Sequence, residues 1–570
     1  MPFQLSPGVN VSEIDLTTIV PAVGTTEGAF AGPFVWGPMN SVQSIGNEVE
    51  LVDIFGKPDA NTFRSFFTCA NFLSYARNLR VVRAASNTAA FNAVANGSLG
   101  LLIQNRNDYE LNYHDLSAAN THGMFAARYP GALGNSLKVS LWASSNSVAY
   151  NTLWEYAREF NGVPGTSAYA SNVMGANDEM HIIVVDEDGK FTGVADTVLE
   201  KFPYLSKASD AKNDDGSSNY YVNVINQKSR YIYMINSALD SHGVPNTATW
   251  GLQASNTTFG QGLYVFTSSL KNGADGLPTD ADIIRGYDEF ANPEAIDVSL
   301  IMTGAANTVV SKYIVDDIAE SRKDCVAFIS PKMDDVVDNY GNEVTDIVST
   351  RNQFNSSSYA VMDGNWKYQF DKYNNVYRWV PLNGDIAGLC VRTDFERDPW
   401  FSPAGFNRGH IKNAVKLAWN PGKGNRDDLY VAGVNPVVSF PGEGVILYGD
   451  KTMLAKPSAF DRINVRRLFI VLEKAIARAA RYSLFEFNDE FTRAQFVALV
   501  EPFLRDVQGR RGIYDFRVIC DTTNNTPERI DRNEFWGDIY IKPARSINFI
   551  QLNFIAVRTG VAFEEIVGKY

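Results

Sequence analysis

The chain has 570 residues, of which 45% are hydrophobic and 20% charged, a composition that excludes intrinsic disorder, a collagen-like repeat or a coiled-coil rod. At about one domain per 150 residues this length predicts three or four domains. Lys+Arg total 51 against 64 Asp+Glu, a formal net charge of −13, which argues against a global nucleic-acid-binding surface.

Met1 to Leu16 shows neither the basic leader nor the apolar core of a signal peptide, and no run of about 18 apolar residues is present to span a membrane. Within it, Gly8 to Leu16 reads as an extended arm, with Val9, Val11, Ile14 and Leu16 behind the turn formers Pro7 and Gly8. Asn47-Glu48-Val49-Glu50 has capping-box spacing ahead of a short helix, which Gly56 and Pro58 stop. Phe63 to Asn78 is predicted as a longer amphipathic helix and Leu79 to Ala84 as a strand.

From about residue 96 to 285 the chain turns rich in Asn, Ser, Gly and Tyr. Short strand-like pieces, His181 to Val185 and Tyr220 to Ile225, are separated by polar loops. The α/β pattern returns with a strand at Ala295 to Met302, a helix at Asn307 to Arg322 and a strand at Cys325 to Ser330. That is the length a parallel crossover needs. Residues 366–380 read as a hairpin turning at Asn374-Asn375. The predicted fold class is multidomain α/β and α+β. One discontinuous α/β core comprises 21–95 plus 286–450. β-rich inserted domains occupy 96–190 and 191–285, an arm occupies 1–20, and an α+β C-terminal domain with a terminal strand arm occupies 451–570.

Residues 451–570 hold 19 Lys+Arg and 15 Asp+Glu, while the other 450 hold 32 and 49. This asymmetry predicts a different partner for the C-terminal region. Asn464 to Leu484 has the best helical pattern, with Val465, Leu468, Phe469, Leu472, Ile476 and Ala479 as its apolar stripe. Arg467, Lys474, Arg478 and Arg481 stand on the opposite face. That basic face is either a solvated surface or a contact to an acidic partner. A second helix is expected from Thr492, kinked or divided at Pro502 and stopped by Gly509, with Arg510 and Arg511 in the turn beyond. Ile513 to Cys520, Gly537 to Ile541 and Ile547 to Val557 read as strands. The last presents Ile550, Leu552, Phe554 and Ala556 on one side.

Motifs for chemistry are missing. No GxxxxGK[ST], GxGxxG, HExxH or GxSxG pattern occurs. Cys69, Cys325, Cys390 and Cys520 form no CxxC pair and read as small buried apolar residues of a chain made in a reducing cytoplasm. The five histidines, His114, His122, His181, His242 and His410, lack metal-ligand spacing. Placing Gly216 sixth in a calcium loop puts Ala211 first and Val222 twelfth, and neither can ligate. No catalytic, cofactor or metal residues are therefore assigned.

Several long motifs carry a resemblance. EFNDEFTRAQF, VEPFLRDVQGRRGIYDFRVICD, TNNTPERIDRNEFWGDIYIKPARSIN and VRTGVAFEEIVG closely resemble the C-terminal domain of contractile tail sheath proteins of T-even-type myophages. LSPGVNVSEIDL, AFAGPFVWGP, NEVELVDIFGKP, AIDVSLIMTG, AESRKDCVAFISP and GDIAGLCVRTDFERDPWFSPAG are similar to that family's earlier segments. The resemblance covers roughly 3–95 and 286–568. It implies a non-enzymatic homo-oligomer of stacked hexameric rings around a tail tube protein, bounded by baseplate and tail terminator proteins. It implies no cofactor, no nucleic acid and no membrane insertion, in a virion tail assembled in the host cytoplasm. It also implies that the N-terminal arm and a C-terminal strand join neighbouring subunits, that the C-terminal domain faces the tube and that the inserts project outward. Arg467, Lys474, Arg478, Arg481, Arg510 and Arg511 then become tube-contact candidates. Alternatives are the sheath of a related injection system, such as a phage-tail-like bacteriocin, a carbohydrate-active hydrolase, and an insert that binds host glycans.

Overall fold

Gly28–Gly32 (β1), with the sequence GAFAG, is buried along its whole length, as a strand covered on both faces must be. It belongs to the computed structural model of the chain, which describes residues 24–95, 100–114, 122–235, 248–262, 265–548 and 551. The arm at Gly8 to Leu16 and the terminal strand residues Ile550, Leu552, Phe554 and Ala556 lie outside the described residues.

After β1 come Gln43–Ile45 (β2), the helices Glu48–Phe55 (α1) and Phe63–Leu73 (α2), and Leu79–Arg83 (β3). The capping box forms only in half, because Glu50 takes the Gly46 N–H and not that of the cap residue Asn47. Asn47 accepts from the Glu50 N–H, and Glu50 accepts from the Gly46 N–H. Gly56 ends α1 at φ 78°, a left-handed conformation open to glycine. Helix α2 stops five residues short of the expected Asn78.

The chain returns to the same sheet after the insert. Asp280–Asp288 (α3) precedes Leu300–Met302 (β4), Val326–Ile329 (β5) and Ala360–Asp363 (β6). Trp366–Asp371 (β7) and Val376–Pro381 (β8) form the expected hairpin, with Asn375 at φ 54°. Asn383–Glu396 (α4), Lys416–Leu417 (β9) and Val434–Asn435 (β10) follow. The central sheet runs β10-β6-β5-β4-β1-β3-β2, parallel except for the antiparallel edge strand β2. It thus draws on both chain segments that flank the insert. The expected strand at Ala295 to Met302 is only three residues long. The Ile296 and Val298 carbonyls accept from Arg322 and Lys474 side chains and not from a neighbouring strand.

Within 96–285, one antiparallel sheet orders Phe266–Ser269, Leu137–Trp142, Glu179–Asp186 and Thr197–Ser206. A division at residue 190 falls in the connection between two of its paired strands. The expected strand at Tyr220 to Ile225 is a helix, Tyr221–Lys228, that buries Tyr221, Val222, Val224 and Ile225. That spacing follows a period of 3.6, so packing overrides the strand preference of its aromatic and β-branched residues. His181 is buried and satisfied. Its Nδ1 accepts from the Tyr204 N–H at 3.0 Å, which leaves Nε2–H to donate to the Gly162 carbonyl at 2.8 Å.

The last elements are Ile463–Ala480 (α5), Glu490–Gly509 (α6), Ile513–Ile519 (β11) and Asp538–Pro543 (β12). Asp489, and not Thr492, caps α6 by accepting from the Thr492 N–H. Helix α6 runs through Pro502 undivided. The proline is exposed, as is Ala498, so water can serve the carbonyl that the missing N–H releases. The described chain forms two compact units, a larger one of residues 24–399 and 403–478 and a smaller one of 400–402 and 479–551. All four cysteines are free and buried.

Candidate assembly surfaces and buried anchors

In an open parallel sheet, ligands bind in the crevice beyond the strand carboxyl ends where the strand order reverses. Here the reversal lies between β1 and β4, and the chain fills the space itself. Asn383 at the start of α4 accepts from the Gly304 N–H at 3.0 Å and donates to the Gly304 carbonyl at 2.7 Å. Ser330 beyond β5 accepts from the Leu382 and Asn383 N–H groups and donates to Asp363 at 2.6 Å. Burial pushes the Asp363 carboxyl up to about 8. A Cβ on Gly384 would stand 2.4 Å from the Thr68 carbonyl oxygen, so α4 can pack this closely on α2 only with glycine there.

At the next residue of α4, Asp385 forms a fully buried ion pair with Lys367 of β7. Lys367 Nζ donates to Asp385 Oδ1 at 2.9 Å and to the Lys412 carbonyl at 2.9 Å. The Tyr75 hydroxyl donates to Asp385 and accepts from the Lys412 N–H. Burial raises the Asp385 carboxyl and lowers the Lys367 ammonium, while their contact opposes both shifts. Four segments meet at this pair, which fixes their mutual register.

The basic face of α5 differs from its reading as an outward stripe. Arg467 is only 4% exposed in its side chain; its Nη2 meets Asp394 Oδ2 of α4 at 2.6 Å, and Nη1 donates to the Cys390 carbonyl. Lys474 is 12% exposed and donates to Asp297, the Val298 carbonyl and Ser299. The first two turns of α5 are buried on every side, so basic residues opposite the apolar stripe meet carboxylates and not water. Arg467 and Lys474 are thereby removed from the surface candidates. Arg478, also near Asp297, and Arg481, Arg510 and Arg511 are exposed. The charge asymmetry shifts accordingly: residues 479–570 hold 12 Lys+Arg and 13 Asp+Glu, whereas 451–478 hold seven and two. The positive excess belongs to the part of α5, and the segment before it, that lie in the larger unit.

The smaller unit is built around α6, which buries Thr492, Arg493, Phe496, Val500, Leu504 and Val507. Trp400 donates to the Arg510 carbonyl at 3.0 Å, and Gly512 lets the turn approach its ring. Asn525 is the hub of the 521–537 loop. It donates to the Trp536 carbonyl at 2.8 Å and accepts from the Trp536 N–H at 2.9 Å and from Asn488. Strands β11 and β12 pair antiparallel and take no third strand among the described residues. Tyr482, Phe485, Phe487, Phe491, Tyr514 and Tyr540 are all exposed. A two-stranded ribbon is marginal alone, and its open edges are templates for a further strand.

Two family profiles match consecutive stretches of the chain. The phage tail sheath protein central domain matches residues 278–453, and the phage tail sheath C-terminal domain matches residues 455–556. The tail sheath protein of Vibrio phage KVP40 is 34% identical over 672 aligned residues, spanning 99% of this chain and all of that protein. The chain belongs to the phage tail sheath family. The tail sheath protein of Enterobacteria phage T4 is likewise 34% identical, over 99% of both chains. The sheath tail protein of Listeria innocua shares the fold at a TM-score of 0.53 and 11% identity, over 92% of this chain and 96% of that one. This sheath subunit is a structural component of a phage tail.

Sequence reasoning missed the exposed aromatics of 482–491. The stretch YSLFEFNDEF has aromatic residues in neither helical nor strand register, and that mismatch is the signal that could have marked them. It also missed Asp394 and Asp297, which were legible only as two acids among 64.

Proposed function

We propose that this sheath subunit polymerises with copies of itself as stacked hexameric rings around a tail tube, and that contraction of the polymer drives the tube through the host envelope. The observation that carries the reading is the two-stranded ribbon β11–β12, whose strand edges are open among the described residues. Strand addition satisfies such edges. The N-terminal arm with Gly8, Val9, Val11, Ile14 and Leu16, and the terminal strand with Ile550, Leu552, Phe554 and Ala556, supply the added strands from neighbouring subunits. Arg478, Arg481, Arg510 and Arg511 are the remaining tube-contact candidates; each exposed contact contributes less than about 1 kcal/mol and is screened by salt. Baseplate and tail terminator proteins bound the polymer at its two ends. The stroke involves no catalytic step, and its energy is stored in the extended lattice at assembly. Subunit bodies move nearly rigidly during contraction.

Negative-stain microscopy of the full chain, beside a variant lacking residues 1–16, tests this. The full chain should form striated tubes or rings. The shortened chain should remain a folded monomer, and tubes formed by it would overturn the arm assignment.

A further inference from the structure

The buried carboxylate of Asp394 joins two parts of the larger unit that lie far apart in sequence. Thr25, at the start of the described chain, donates its hydroxyl to Asp394 Oδ2 at 2.6 Å. Arg467, in the first two turns of α5, places Nη2 on the same oxygen at 2.6 Å. Asp394 Oδ1 is buried and has no hydrogen-bond partner among the described residues. Both donors therefore depend on one oxygen, whose position each helps to fix. Two turns further along α5 a second link repeats the pattern. Lys474 Nζ reaches Ser299 Oγ at 3.2 Å, and Ser299 Oγ donates to the Gly24 carbonyl at 3.2 Å. Residues 24 and 25 are thus tied to α5 twice, through one intermediary each time.

We propose that Asp394, supported by Ser299, is a latch that fastens the root of the N-terminal segment to α5. The chain runs from residue 24 toward the N-terminus and from α5 into the C-terminal unit, so the latch holds the roots of both leads as one mechanical point. A load on either lead then reaches α4 and the central sheet through a shared carboxylate and cannot peel β1 away separately. Two donors on one buried oxygen are energetically coupled, because losing one frees the carboxylate to turn from the other. The latch lies wholly in the larger unit, so it stands or falls independently of strand exchange between subunits.

Hydrogen–deuterium exchange on the full-length chain tests it. Thr25→Val removes the hydroxyl at nearly constant volume. Amides of 24–32 and of 463–470 should both exchange faster, by roughly tenfold. Thr25→Ser should return both segments to the parent rates. Arg467→Lys keeps the charge but loses the fork, and should loosen 24–32 although it lies far away in sequence. Faster exchange confined to 24–32 in Thr25→Val, with 463–470 unchanged, would overturn the latch. No change in either segment would do the same. Faster exchange throughout the larger unit would indicate general destabilisation and overturn it as well, unless Thr25→Ser and Arg467→Lys still separate the two segments from the rest.

Discussion

In the larger unit, the polar groups at the carboxyl edge of the parallel sheet find partners inside the chain. Asn383 takes Gly304, Ser330 takes Asp363, and Lys367 takes Asp385. In the smaller unit, β11 and β12 have one another and leave their other edges without a strand among the described residues. Tyr482, Phe485, Phe487 and Phe491 stay exposed, while α6 fills its own buried face. The contrast teaches where each unit keeps its stability. The larger one holds it in its own interior, and the smaller one keeps a surface that no other described residue covers.

The largest expected effect breaks the self-sufficient side. Asp385→Ala leaves Lys367 buried without a counter-charge and should lower stability by about 3–5 kcal/mol in urea unfolding. The double variant Lys367→Met, Asp385→Leu should regain most of that loss, because an apolar pair of similar size needs no charge partner.

Next in size is a difference in the sign of pH dependence. Asp363, pushed up to about 8 by burial, binds its proton more tightly folded than unfolded. Its contribution is fully present below the ordinary carboxylate range and is lost as pH rises through about 8, on the order of a few kcal/mol. In the smaller unit, hydrogen bonds from Thr492 and Thr523 hold the Asp489 and Asp521 carboxyls low. Their contribution is present above the ordinary carboxylate range and is lost as pH falls below it. Exchange protection of peptides from each unit, followed from pH 4 to pH 9, should fall toward alkaline pH in 300–385 and toward acid pH in 489–525. The Asp363→Asn variant should flatten only the first profile.

Asn525→Ala removes the hub of the 521–537 loop and should cost about 1–3 kcal/mol, visible as faster exchange in residues 488–540 with the larger unit unchanged. The smallest effect on stability sharpens the contrast most. Phe485→Ser with Phe487→Ser should shift the unfolding midpoint by less than about 0.5 kcal/mol equivalent and yet reduce polymer formation measured by sedimentation.

Much of the architecture was legible in the sequence because periodicity and punctuation agree with packing there. The α1 cap at Asn47, the hairpin at Asn375 and the strands on both sides of the insert are such places. Legibility failed where burial overrode local preference. Tyr221–Lys228 is rich in strand formers but packs with helical spacing. The basic face of α5 failed for a related reason. A charge stripe specifies that something polar lies opposite, but only the tertiary fold says whether that is water or Asp394. Pro502 still costs α6 one hydrogen bond and some crowding, but on a solvated face the freed carbonyl meets water and the helix continues.

The four buried thiols carry a consequence for a component of a phage tail. Burial pushes Cys325 and Cys390 up to about 12 and raises Cys69 and Cys520 as well. Thiolate, the form that oxidises and exchanges, is therefore scarce at neutral pH. Air and peroxide find little to attack, and adjacent copies cannot become cross-linked through sulfur while the fold holds. A contractile sheath is thereby kept free of sulfur bonds between its parts.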